Sequence, residues 1–300
     1  MRLANLHDRL TLVFDGGGVD VEVASSGRFG ADPQAVYDTW DEFRSWAKAV
    51  VPADLTPTDL TPVDQTALGA PVPRPRQVFA VGVNYAAHAR EAGYPVESVP
   101  IVFTKFVSSL CGPNVTVALP SGCVDWEVEL VVVVGRRTHH VAPAAAWDHV
   151  AGLTIGQDLS DREVQMQGAK PQFSLGKSFP QFGPTGPWLV TPDELGDPDD
   201  LWIRSIVNDT VVQESRTSHM IDDVPSLLAK LSAVCPLLPG DIIFTGTPEG
   251  VGNARTPKWF LGAGDVLISE VEGLGRMTTN FAAAPSTDGA RAFRTGAVGT

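Results

Sequence analysis

Asp125-Trp126-Glu127-Val128-Glu129-Leu130-Val131-Val132-Val133-Val134 is the stretch that decides how this chain is read. Alternate side chains of a strand share a face, so the run puts Asp125, Glu127 and Glu129 on one side at its start. From Leu130 onward the strand is apolar on both faces, the pattern of a strand entering a packed interior. Carboxylates leading into such a strand lose hydration and repel each other. Protonation, a cation or a metal must offset them. Taken alone, two acids two apart fit a solvated acidic edge equally well. Asp158 shifts the balance: it closes the apolar run Leu153-Thr154-Ile155-Gly156-Gln157-Asp158, at a strand end where site residues concentrate. Glu127, Glu129 and Asp158 together form an all-oxygen donor set, which favours Mg²⁺, with Mn²⁺ or Ca²⁺ as alternatives. Three acids around one divalent ion remain net negative, so a nearby cation is expected.

Outward from that strand, short apolar runs alternate with Gly and Pro. Strands are expected at Gln77–Val81, Ile101–Lys105, Val128–Val134, Gly152–Gln157, Trp188–Val190, Trp202–Val207, Asp241–Thr245 and Asp265–Val271. Helices are fewer, through Tyr85–Glu91, Ala144–Val150 and Val224–Ser232. Such a pattern predicts an α+β, β-rich fold, not regular βαβ repeats. Before it, residues 1–72 read as a small N-terminal α/β domain and linker. That region has strands around Leu10–Phe14 and Val19–Val23, then a helix started by Asp32-Pro33 and carrying Val36, Trp40, Phe43 and Ala47. Prolines 52, 57, 62, 71, 73 and 75 mark the linker, and the boundary is set near residue 72. The catalytic domain is expected over 73–283. The Ala/Ser/Gly/Thr-rich text after Asn280 reads as a mobile tail, 284–300.

Bulk composition narrows the function. A formal charge of -13 repels phosphate backbones, so nucleic acid is not an expected partner, and any anionic ligand needs local positive charge. No window holds the roughly 18 apolar residues of a membrane helix, and no secretory h-region is seen. Three cysteines, with no Cys-x-x-Cys pair, read as reduced thiols, so a cytoplasmic location is expected.

His88 and Glu91 are three apart in a helical segment, so they are neighbours there; a carboxylate beside an imidazole supports it as a general base. An exposed helical pair is the plainer reading of the same spacing. Lys177, in Leu175-Gly176-Lys177-Ser178 between Phe173 and Phe179, either snorkels to solvent or is held for an anion. A phosphate loop would need Gly at 171, which is Pro. The dinucleotide fingerprint fails at Val21 and at Arg255, and no His-Glu-x-x-His or Gly-x-Ser-x-Gly occurs.

Several blocks in order carry a resemblance over about 200 residues, from Val78 to Asn280. They are Val81-Gly82-Val83-Asn84-Tyr85-Ala86-Ala87-His88-Ala89-Arg90-Glu91, Phe103-Thr104-Lys105, Asp125 to Leu130, Gln157-Asp158-Leu159-Ser160 and Gly176-Lys177-Ser178-Phe179. Gly183 to Val190 and Leu238 to Gly252 complete the set. The chain resembles the fumarylacetoacetate hydrolase family. That resemblance implies a rolled β-sheet catalytic domain, a homodimer, and Mg²⁺ or Mn²⁺ held by Glu127, Glu129 and Asp158. It further implies a small 2-keto or β-diketo acid as substrate, water activated by His88 with Glu91, and an enolate stabilised by Lys177. Arg162, Gln165 and Thr247 match positions that contact substrate. Hydrolytic C–C cleavage of an acylpyruvate-like acid through a metal-held enolate is the leading expectation. Its rivals are decarboxylation of oxaloacetate-like acids and keto–enol or double-bond isomerisation of 2-hydroxydienoates. A reading of another class is a non-catalytic metal or small-molecule binding protein.

Overall fold

The computed structural model describes residues 1–50, 60–96 and 100–284. Two sheets dominate. The larger has eleven strands, with a main path running Gly17–Asp20, Arg9–Phe14, Arg2–Leu6, Gly183–Val190, Val150–Gln157, Val128–Val134, Ile242–Phe244, Val78–Gly82, Ile101–Phe103. The smaller has five, in the order Thr210–Arg216, Trp202–Val207, Val266–Val271, Gly275–Ala283, Asn114–Leu119.

Val128–Val134 explains the layering. All seven of its residues are buried, because both faces meet apolar layers. Val128, Leu130, Val132 and Val134 pack with Ile203, Val271 and Met277 of the smaller sheet and with Leu227, Leu228 and Leu231 of helix Val224–Ser232. Val131 and Val133 face the other way, into a core with Trp40 and Phe43 of helix Trp40–Ala47. Two-residue alternation thus divides one strand between two cores. At Gly156, opposite Glu129, an added Cβ would lie 2.5 Å from Val131 and 2.6 Å from Phe244, so the strand crossing stays this close only with glycine.

The α+β, β-rich expectation agrees with this architecture, and Val128–Val134 and Trp202–Val207 fall where the sequence places them. Other elements differ. The expected strand Val19–Val23 ends at Asp20, whose carboxylate accepts the Val23 N–H and starts a short helix, Val21–Ala24. Ala144–Val150 is a 3₁₀ segment, Pro143–His149, and Val150 opens the next strand. Trp188–Val190 is only the end of a strand that begins at Gly183. Arg2–Leu6, Asn114–Leu119, Thr210–Arg216 and Gly275–Ala283 are strands with no sequence counterpart. The last of them carries order past Asn280 to Ala283; residues 285–300 of the expected tail, like Pro52 and Pro57, lie outside the described residues. Arg2 and Leu3 pair with Val190 and Leu189, so the large sheet runs through the expected boundary near residue 72. Among the described residues, no helix is long and apolar enough to cross a membrane.

Candidate active site and metal centre

Antiparallel pairing builds the acidic cluster. Val128 sits opposite Gln157 and Glu129 opposite Gly156, and the Asp158 N–H donates to the Glu127 carbonyl at 2.9 Å. The start of one strand and the end of its neighbour therefore coincide. Carboxylate oxygens of Glu127, Glu129 and Asp158 all lie within 4.8 Å of one another, and the three residues are buried. The Gln157 side chain fixes the corner: its oxygen accepts the Glu127 N–H at 3.0 Å, and its amide donates to Ser205 and Ser269.

Cations surround the cluster unevenly. Lys177 Nζ lies 2.6 Å from Glu127 Oε2 and 2.7 Å from Asp158 Oδ2. Arg162 Nη1 reaches Glu127 Oε1 at 2.8 Å, and Lys105 Nζ reaches Asp158 Oδ1 at 2.7 Å. Burial pushes the Glu127 carboxyl up, but the charges of Lys177 and Arg162 outweigh it and hold that group well below the usual carboxylate range. Lys177 is correspondingly raised: burial lowers it, and Asp158 and Glu127 more than compensate. Glu129 is the exception. Its carboxylate accepts one hydrogen bond, from the Gly246 N–H at 2.8 Å, while burial and then the charges of Asp158 and Glu127 push it well above its ordinary value.

A hard divalent cation fits this arrangement. Glu127, Glu129 and Asp158 present converging oxygens, and among the described residues no ammonium or guanidinium pairs with Glu129 as they do with its two neighbours. Beside Glu129, the buried Tyr85 hydroxyl has no hydrogen-bond partner among the described residues. An orphaned donor beside an under-compensated carboxylate is what a site for a hydrated ion supplies.

His88 and Glu91 sit on helix Ala86–Glu91, with His88 Nδ1 2.8 Å from Glu91 Oε1. Gly250 N–H donates to both Glu91 oxygens at 3.0 Å, fixing the carboxylate from a distant loop. His88, Glu91, Glu127, Glu129 and Lys177 all line a cavity of about 390 Å³. Arg162, Gln165 and Thr247 line it too. Asp158 lies behind them, fully buried. The three expected substrate contacts are also engaged within the protein. Arg162 donates to Gln165 at 2.9 Å, and the Thr247 hydroxyl donates to the Val128 carbonyl and accepts from Gln213.

Gly250 has φ near +104°, and an added Cβ would collide with the Val212 carbonyl. Gly250→Ala is therefore expected to destabilise the protein by more than about 2 kcal/mol and to lower turnover by releasing Glu91. Urea melts with a kcat measurement check this, and an unchanged melt would contradict it.

Asp125 differs from the expectation. The strand is broken at Trp126 and Glu127, between Val124–Asp125 and Val128–Val134, so alternation does not carry back to Asp125. Its carboxylate instead accepts the Gly252 and Asn253 N–H groups at 2.7 and 2.9 Å and pairs with Arg162 at 2.7 Å. It holds the 250–253 loop and Arg162 against the site. Lys105 and Tyr85 stood in the quoted motifs with no role attached. Lys105 carried only the signal of a lone lysine after an apolar run.

The sequence profile for the fumarylacetoacetate (FAA) hydrolase C-terminal domain matches residues 77–282. Human mitochondrial oxaloacetate tautomerase FAHD2A is 47% identical over 208 residues, covering 69% of this chain and 66% of that protein. The match thus spans just under two-thirds of the length of that relative. A Mycobacterium smegmatis structure, of a protein provisionally named HpcE, is 51% identical with a TM-score of 0.90, covering 95% of this chain and 100% of that one. Maleylpyruvate hydrolase from Sphingobium sp. SYK-6, solved with manganese(II) and pyruvate, is 28% identical with a TM-score of 0.77. It covers 95% of this chain and 100% of that one. With the profile spanning the acidic strand, the His88–Glu91 pair and the loop that holds it, this chain belongs to the fumarylacetoacetate hydrolase family.

Proposed function

We propose that this protein is an enzyme that moves a proton at the carbon beside the keto group of a small 2-oxo acid, with keto–enol tautomerisation of an oxaloacetate-like acid as its reaction. One observation carries this reading: the His88–Glu91 pair opens on the same cavity as Glu127, Glu129 and Lys177. Glu127, Glu129 and Asp158 would hold a divalent ion, which when bound supplies Lewis-acid stabilisation for negative charge growing on the keto oxygen. With Nδ1 of His88 bonded to Glu91, Nε2 is the basic nitrogen. It takes the C3 proton of the keto form, a proton from water reaches the substrate oxygen and His88 returns its own to solvent, and the enol results; the reverse transfers restore the ketone. Lys177, kept cationic by Glu127 and Asp158, adds positive charge at the cavity wall as that oxygen becomes negative. Arg162 and Gln165 would orient the substrate carboxylate, with Thr247 bonding the far side. The 47% identity to a protein named as an oxaloacetate tautomerase supports the choice of substrate class.

Hydrolytic cleavage of an acylpyruvate is the second reading, favoured by a cavity of about 390 Å³, roomy for a four-carbon acid. His88 would then deprotonate water, whose oxygen bonds the acyl carbon as the C–C bond breaks. One panel separates these: oxaloacetate, acetylpyruvate and a 2-hydroxydienoate with Mg²⁺, followed by enol absorbance and pyruvate release. Tautomerisation predicts faster decay of enol-oxaloacetate without pyruvate. Pyruvate from acetylpyruvate would move the assignment to hydrolysis, and metal binding with no turnover on any substrate would leave a binding protein.

A further inference from the structure

We propose that Lys105 makes metal binding at this site depend on an anionic ligand, because its buried charge leaves the metal-loaded cluster positive until a carboxylate enters. The inference rests on the reading of the site as one for a divalent ion and a 2-oxo acid. Lys105 is fully buried, follows strand Ile101–Phe103, and does not line the cavity. Its ammonium bonds Asp158 Oδ1 at 2.7 Å and the backbone carbonyl of Lys177. It therefore never meets the substrate. Burial lowers its ammonium and the Asp158 carboxylate at 2.7 Å opposes that loss of charge, so it contributes a charge and a clamp on two site residues at once, which makes it a positioning residue.

The charges in direct contact are four carboxylates (Asp125, Glu127, Glu129, Asp158) and three cations (Lys105, Arg162, Lys177). With a divalent ion bound and all four acids ionised, the cluster carries one net positive charge. Without Lys105 it would be neutral. In a buried setting one uncompensated charge a few ångströms away changes an ion's affinity by roughly tenfold or more. Glu91, bonded to His88 and Gly250, and Glu249, whose charge reaches Tyr85, stand outside the cluster; Arg255 and Lys258, which line the cavity, offset these two, so the surroundings do not cancel that charge. A 2-oxo acid carboxylate does. Metal and substrate then bind each better in the other's presence.

Calorimetry on the full chain tests this, with Mn²⁺ as the metal and oxamate as an unreactive singly charged 2-oxo acid isostere. In Lys105→Met, Mn²⁺ alone should bind roughly tenfold tighter than to wild type, and oxamate should bind the Mn²⁺-loaded protein roughly tenfold weaker. Opposite signs distinguish charge from packing: a merely structural clamp would weaken both, and that outcome overturns the proposal. Lys105→Gln, which still donates to Asp158, should show the same pair of signs. Wild type supplies an arm that needs no variant to fold. Mn²⁺-loaded protein should prefer oxamate to neutral oxamide, of the same bite, by at least tenfold; equal affinities overturn the proposal. Failure of wild type to bind Mn²⁺ at all would instead sink the site reading on which it rests.

Discussion

Asp158→Asn is expected to abolish metal-dependent turnover and to destabilise the protein by about 3–5 kcal/mol, the range for breaking one side of a buried ion pair. Both Asp158 oxygens are used: Oδ1 takes Lys105 Nζ and Oδ2 takes Lys177 Nζ, each at 2.7 Å. An amide in the same place is neutral and turns an NH₂ toward one of two buried ammonium groups. Lys105 then loses its only carboxylate partner among the described residues, and Lys177 keeps only Glu127, which it shares with Arg162. Glu129→Gln should lose turnover equally yet stabilise the metal-free protein. Burial and two neighbouring carboxylates oppose the Glu129 charge, and its partner, the Gly246 N–H, bonds an amide oxygen as readily. Urea melts in chelator, paired with turnover after Mg²⁺ readdition, measure both. Normal turnover in either variant would remove the metal assignment. A Glu129→Gln protein as unstable as Asp158→Asn would refute the charge argument.

This contrast between two neighbouring acids was only half legible in the sequence. Val128–Val134 reads directly, because a strand buried on both faces must be apolar at successive positions. Glu129 follows from its alternation, Glu127 is the residue just before it and is held there by the Asp158 N–H, and Asp158 follows from the end of the next apolar run. Their unequal neutralisation does not follow. It depends on Lys105 arriving 53 residues before Asp158 and on Arg162 dividing itself between Asp125 and Glu127. Nothing in Phe103-Thr104-Lys105 distinguishes a fully buried lysine from one that snorkels. Asp125 misleads for a related reason: its partners are backbone amides at 252 and 253, some 127 residues away, and a two-residue break precedes the strand. Gly183-Pro184-Thr185-Gly186-Pro187 has turn-like composition but forms a strand, because Pro184 lies beside Cys111 and a register shift accommodates the segment against Val150–Gln157. Arg2–Leu6 has too short an apolar pattern to declare itself. It is ordered by Leu189 and Val190 on one side and by strand Arg9–Phe14 on the other.

His88→Ala should lower turnover by roughly 10²–10⁴-fold with little change in stability or in Mn²⁺ affinity. The imidazole is mostly buried, but its hydrogen bond is local, to Glu91 at 2.8 Å one helical turn on, so removing it strands no distant partner. Glu91 keeps its two contacts with the Gly250 N–H and stays in place. The loss therefore reports proton transfer and not collapse of the wall. Glu91→Gln sharpens the test. Its amide oxygen can still accept from Gly250, which leaves the NH₂ to face His88 Nδ1 and forces that nitrogen to accept. The proton then moves to Nε2, the atom that must be basic, so this variant should fall nearly as far as His88→Ala although the imidazole is retained. A Glu91→Gln enzyme with near-normal kcat would show that the carboxylate merely anchors the loop. If decarboxylation of oxaloacetate survived in His88→Ala while tautomerisation vanished, the two reactions would draw on different groups of one site. In that case the proton relay belongs to the first reaction alone, and the cations around Asp158 suffice for the second.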